Sequence, residues 1–90
     1  MKNEIHISSV VLYAVPNTVS GLEYEIREYP YSELAFSDRK LGKMVVVLET
    51  QSMGQLKQAV SHLEQLDGVL TSSMVYHHVD APGSLREAIA

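Results

Sequence analysis

The sequence predicts an α+β domain in which a four-stranded antiparallel sheet carries two helices on one face. Three observations lead there. Four stretches rich in β-branched and aromatic residues are bounded by turn signals. Two further stretches repeat their apolar residues at helical spacing. The order of these segments is β-α-β-β-α-β with short connections, the arrangement of a ferredoxin-like split βαβ sandwich.

Residues 5–15 are expected to form the first strand, since they hold no Gly or Pro and are dominated by Ile, Val, Leu and Tyr. Pro16-Asn17-Thr18 ends it and offers Asn17 or Thr18 as a helix cap. Val19, Leu22, Ile26 and Tyr29 then recur three and four apart, which predicts an amphipathic helix over 18–29 closed by Pro30. Residues 32–38 alternate as a half-buried strand, 38–42 form a loop with Gly42 near its end, and 43–49 form the third strand of a hairpin. Ser52 followed by Gln55 is a capping box ahead of Leu56, Ala59, Val60, Leu63 and Leu66, the stripe of a second helix. Asp67-Gly68 stops that helix, and the fourth strand is expected from Val69 to His77 or His78. One domain over residues 1–79 is expected, with a flexible tail over 80–90 and a weak helical turn at 84–90. Right-handed crossovers make the first and third strands central, and these two are expected to run parallel.

Ninety residues allow one domain. Hydrophobic residues at 46% and charged residues at 20% argue for a globular chain rather than a disordered one. The net charge of −4 disfavours nucleic-acid binding and suits a basic partner. Cysteine is absent, which excludes disulfides, thiol catalysis and Cys-based metal sites. No signal peptide is read at Met1-Lys2-Asn3-Glu4 and no apolar run is long enough to insert in a membrane, so a cytoplasmic location is expected.

Period-two alternation divides each strand into a helix-facing and an open set. The core set is expected to be Val10, Leu12, Ala14, Leu34, Phe36, Met44, Val46, Leu48, Leu70, Met74 and Tyr76. The open set is expected to be Ile7, Ser9, Val11, Tyr13, Glu33, Ala35, Ser37, Val45, Val47, Glu49, Thr71, Ser73, Val75 and His77. Its centre is small and mildly apolar, with acids at the margin, a surface that suits an amphipathic segment bringing its own cations. Burial of the same face in a homodimer is the plainer alternative.

Other constellations carry less. His77 and His78 point to opposite faces as strand neighbours, and the parity above also separates His6 from His77, so no metal site is expected. Ser8-Ser9 and Ser72-Ser73 lie mid-strand without the base and orienting acid that a nucleophile needs. Glu23, Glu25 and Glu28 read as a solvated acidic face of the first helix. Phosphate-binding loops, dinucleotide fingerprints and the stacking aromatics of RNA-binding sheets are missing, so no enzyme is expected.

The runs at 6–11 (His-Ile-Ser-Ser-Val-Val), 33–38 (Glu-Leu-Ala-Phe-Ser-Asp), 42–49 (Gly-Lys-Met-Val-Val-Val-Leu-Glu), 68–70 and 75–77, in that order and spacing, resemble the NapD family. These are cytoplasmic assembly chaperones of the periplasmic nitrate reductase. The resemblance covers about residues 5–78. It implies a ferredoxin-like fold, no cofactor, and binding of the twin-arginine signal peptide of the catalytic subunit NapA as a helix on the sheet, which holds back export until that subunit is mature. Carried to this chain, it points to Ile7, Ser8, Ser9, Val11, Ala35, Val45, Val47, Ser73 and Val75 as peptide-binding positions. Charge complementarity, rather than the resemblance, places the arginine pair near Glu33, Glu49 or other acids. A monomer is expected, with a weak homodimer as the alternative. The rival function is an ACT-like ligand-sensing or oligomerisation module, which predicts a stable dimer.

Overall fold

The computed structural model describes residues 4–80, so the expected tail and its turn at 84–90 lie outside the described residues. The elements follow the expected order. Strand β1 spans Ile5–Ala14, a 3₁₀ turn covers Pro16–Thr18, helix α1 spans Val19–Glu28, β2 Ser32–Asp38, β3 Lys43–Thr50, α2 Met53–Glu64 and β4 Val69–Asp80. The sheet order is β2-β3-β1-β4.

Every neighbouring pair in that sheet is antiparallel, including β1 with β3. The parallel relation expected for the two central strands is therefore incorrect. The α1 crossover makes β1 parallel to β2, and the hairpin reverses β3, so β3 enters between them antiparallel to both. The parallel pairs are β1 with β2 and β3 with β4, each separated by one strand.

Local chemistry sets the element ends. The Gln55 backbone N–H donates to Ser52 Oγ at 3.1 Å, as the capping pattern requires, while Gln55 Oε1 accepts from the Gln51 N–H at 2.9 Å. Thr18 caps α1 by position only, because its hydroxyl donates to the Val15 carbonyl at 2.6 Å. In the hairpin, Asp38 Oδ1 accepts from the N–H groups of Lys40 and Leu41, and Gly42 turns back with φ +73°. A Cβ on Gly42 would sit 2.0 Å from the Ala14 carbonyl oxygen, so only glycine allows β1 and the hairpin to close here.

The core lies between the sheet and both helices. Val10, Leu12 and Ala14 of β1 and Met44, Val46 and Leu48 of β3 are buried against Val19, Leu22 and Ile26 of α1 and Leu56, Ala59 and Leu63 of α2. Burial of alternate residues along β1 and β3 matches the expected parity for both strands.

The edge strands depart from it. In β2, Leu34 pairs with Val46 and Phe36 with Val45, so Ala35 is an extra residue in a β-bulge. Phe36 thereby moves to the open face and is 50% exposed instead of entering the core. Ser37 turns inward and pairs with Met44, which removes it from the open set. In β4, Val10 pairs with Met74 and Ser9 with Tyr76, leaving Val75 as the extra residue. Tyr76 then faces the open side and His77 the helix side, the reverse of expectation. A second irregularity between Tyr13 and Ala14 leaves Leu70 unpaired and 68% exposed. Met74 keeps its helix-facing parity but is 45% exposed beside α2.

Glu23 also differs from expectation. It is buried, not solvated like Glu25 and Glu28. Its carboxylate accepts from Ser37 Oγ at 2.5 Å and takes Arg39 through Nε at 3.2 Å and Nη2 at 2.9 Å, tying α1 to the β2–β3 hairpin. The hydrogen bonds from Arg39 and then Ser37 outweigh the cost of burial and hold this carboxyl at about 2. Because the folded value lies below the unfolded one of 4.5, the clamp stabilises fully above that pH and fades as pH falls from there toward 2. Urea midpoints measured across that window are expected to fall more steeply for the parent chain than for Glu23→Gln. The parities of β3 and β2 give a second expectation: Leu48→Ala should cost about 2–5 kcal/mol by denaturant unfolding, whereas Phe36→Ser should stay within about 1 kcal/mol of the parent.

Candidate functional site

The strand registers define what the uncovered face of the sheet presents. Four rows cross it, one from β3 to β4 and three from β2 to β4. Toward the start of β1, Glu49, Ile7 and His78 lie side by side. The next row is Glu33, Val47, Ser9 and Tyr76, and the third is Phe36, Val45, Val11 and Ser73. The last row is Asp38, Lys43, Tyr13 and Thr71. Ile7, Ser9, Val11, Val45 and Val47 are half-buried and form a shallow, mostly apolar floor along the two central strands. The bulges add Phe36 on one edge strand and Tyr76 on the other, so the floor lies between two exposed rings.

Of the residues singled out in the sequence, Ile7, Ser9, Val11, Glu33, Val45, Val47, Glu49 and Ser73 share this face. Ser8 does not. It is fully buried on the helix side, opposite Leu48 and His77, and its hydroxyl has no hydrogen-bond partner. Ala35 and Val75 are the bulge residues, lying outside the pairing ladder at the two edges. Phe36 and Tyr76 were missed because a bulge leaves no signature in these short runs: Ala35 and Val75 are ordinary strand residues, and their only effect is to shift the alternation by one place.

Glu33 and Glu49 meet at one corner of the face. Both are exposed, and neither carboxylate has an ion-pair partner among the described residues. They share a recess of about 610 Å³ with Ile5, Pro30, Tyr31, Val47, Gln51 and Gln55, between the sheet end, the α1–β2 connection and the start of α2. Two acids on a partly apolar wall form a seat for cationic groups, and guanidinium in particular can bind a carboxylate through two hydrogen bonds.

His6 and His77 are in contact, contrary to the parity assigned from sequence, because the Val75 bulge turns His77 to the helix side. His6 Nδ1 lies 3.3 Å from His77 Nε2, and His6 Nε2 lies 3.4 Å from Glu4 Oε1. The two imidazoles stack, with ring centroids 5.5 Å apart and planes at 19°, and a hydrogen bond joins the facing nitrogens. Among the described residues no group of three His, Asp or Glu side chains is arranged to hold a metal ion. No helix among them is long and apolar enough to cross a membrane.

Comparison with known proteins adds to this geometry. The relatives include Chaperone NapD of Escherichia coli K12, 29% identical over 83 residues, covering 92% of this chain and 95% of that protein. Chaperone NapD of Haemophilus influenzae is 28% identical over 75 residues, covering 83% and 81%. That of Paracoccus pantotrophus is 28% identical over 86 residues, covering 96% and 74%. Among solved structures, the solution structure of the E. coli Tat proofreading chaperone protein NapD superposes with a TM-score of 0.80 at 29% identity, covering 87% of this chain and 82% of that one. The family model described as NapD protein matches residues 5–81, and with that match over most of its length the chain belongs to the NapD family.

Proposed function

We propose that this protein is a proofreading chaperone that binds the twin-arginine signal peptide of its client, the periplasmic nitrate reductase subunit NapA, on the open face of the sheet. The observation that carries the reading is an apolar floor left uncovered by the described residues, with two carboxylates at one corner that have no ion-pair partner among them, in a member of a family whose curated relatives are named chaperones. A signal peptide has a basic end followed by an apolar stretch, and each half has its complement here. The arginine pair takes the Glu33/Glu49 recess, and the apolar stretch lies as a helix on Ile7, Ser9, Val11, Val45 and Val47.

The peptide's positive charge steers encounter with a chain of net charge −4, and apolar burial supplies most of the affinity. A contact of about 600–800 Å² per partner, at about 25 cal/mol/Å² and after the cost of ordering, corresponds to binding between micromolar and nanomolar. Occupancy of the leader before export explains how such a protein delays its client until cofactors are in place, and it sets the site of action in the cytoplasm. The reaction is binding alone. Nothing on the open face supplies a nucleophile with its base, so no chemical step is assigned.

Isothermal titration of the protein with a synthetic twin-arginine leader is expected to give a 1:1 complex. Absence of heat at about tens of micromolar protein, with the fold intact by circular dichroism, would overturn the proposal. Val47→Glu and Ser9→Arg each place a charge on the floor and are expected to abolish that heat while the domain remains folded. Unchanged binding in both variants would exclude this face as the docking surface.

A further inference from the structure

Resting on that reading, we infer that the face accepts its peptide in one direction only: the cationic N-terminal end at the Glu33/Glu49 corner, and the apolar stretch running along β3 and β1 toward Tyr13, between Phe36 and Tyr76. The argument begins with charge. The two carboxylates, without an ion-pair partner among the described residues, lie at the end of the face where β1 begins, and the opposite end carries Lys43 beside Tyr13. Asp38 is also at that far end, but its Oδ1 already accepts the N–H groups of Lys40 and Leu41 and closes the hairpin loop. An arginine pair therefore meets an open, doubly anionic seat at one end and, at the other, a neutral couple of Asp38 opposite Lys43.

Shape fixes the axis. The strand spacing puts β2 and β4 about 14 Å apart across the face, and a helix with its side chains is about 10 Å wide. Phe36 stands over β2 and Tyr76 over β4, each half exposed, so a helix lying along the central strands has an aromatic wall on either side. A helix laid across the strands would have to ride over both rings. Along the axis, the stretch of β3 from Glu49 to Lys43 covers about 20 Å, the rise of about 13 helical residues. An arginine pair followed by an apolar stretch of about ten residues fills that length, which lies within the usual range for such leaders. Both walls exist only because of the bulges at Ala35 and Val75, which gives these two irregularities a role in recognition.

The test uses the full chain, isotopically labelled and observed by its backbone amide resonances. Its ligand is a synthetic peptide with an Arg-Arg pair followed by ten apolar residues, carrying a nitroxide at one end or the other. The protein has no cysteine, so the spin label resides on the peptide alone. A label at the N-terminal end is expected to broaden the amides of Glu33, Glu49 and Gln51 and spare Tyr13 and Thr71. A label at the C-terminal end is expected to do the reverse. Interchanged patterns, or equal broadening of both ends from either label, would overturn the direction while leaving peptide binding intact. If the unlabelled peptide shifts no resonance of the open face, the binding proposal itself fails and this inference with it. As a second readout, Phe36→Ala and Tyr76→Ala, both at exposed positions, are each expected to weaken binding by about tenfold. Unchanged affinity in both would remove the aromatic walls and the axis they define.

Discussion

Six side chains hold this molecule in its register: Val10, Leu12 and Ala14 on β1, and Met44, Val46 and Leu48 on β3. They occupy alternate positions of two directly paired strands, and all are buried beneath α1 and α2. A slip of one residue in that pairing would move the whole set to solvent at once. The opposite positions are thereby committed to the uncovered face, whatever they are. The floor of the candidate site is in this sense the reverse side of the core. Val11, Val45 and Val47 can be small and smooth because the helices already bury the larger residues behind them.

Much of this was legible in the sequence, where periodicity is strong. The central strands alternate without interruption, the helical stripes are regular, and Ser52 with Gln55 marks the start of α2. The edge strands were less legible. One extra residue at Ala35 and another at Val75 reverse the alternation midway, and neither residue type advertises it. Phe36 and Tyr76 therefore read as core residues and stand instead on the open face, while His77 reads as open and touches His6 on the helix side. The antiparallel relation of β1 and β3 was available from the topology alone, since a hairpin that follows a crossover must reverse the third strand.

The acidic residues show how environment divides one residue type between tasks. Glu23 shares a helix with Glu25 and Glu28, yet it faces the hairpin, where Arg39 and Ser37 consume its lone pairs and hold its carboxyl far down the pH scale. It is a strut between α1 and the hairpin. Glu33 and Glu49 have no ion-pair partner among the described residues and border an open recess. Sequence alone ranks all five as surface acids. Only the register of β2 against β3 and the packing of α1 separate the internal anion from the pair that faces solvent.

The bulges have one more consequence. Both fall on the outer strands, β2 and β4, and β4 carries a further irregularity at Leu70. A straight outer strand offers a continuous row of unsatisfied amides and carbonyls, to which another molecule can add and then another, without limit. A kinked margin cannot template that growth. The same two insertions that dress the sheet with aromatic rings thus guard a protein with an exposed, partly apolar face against stacking into fibrils with its own kind.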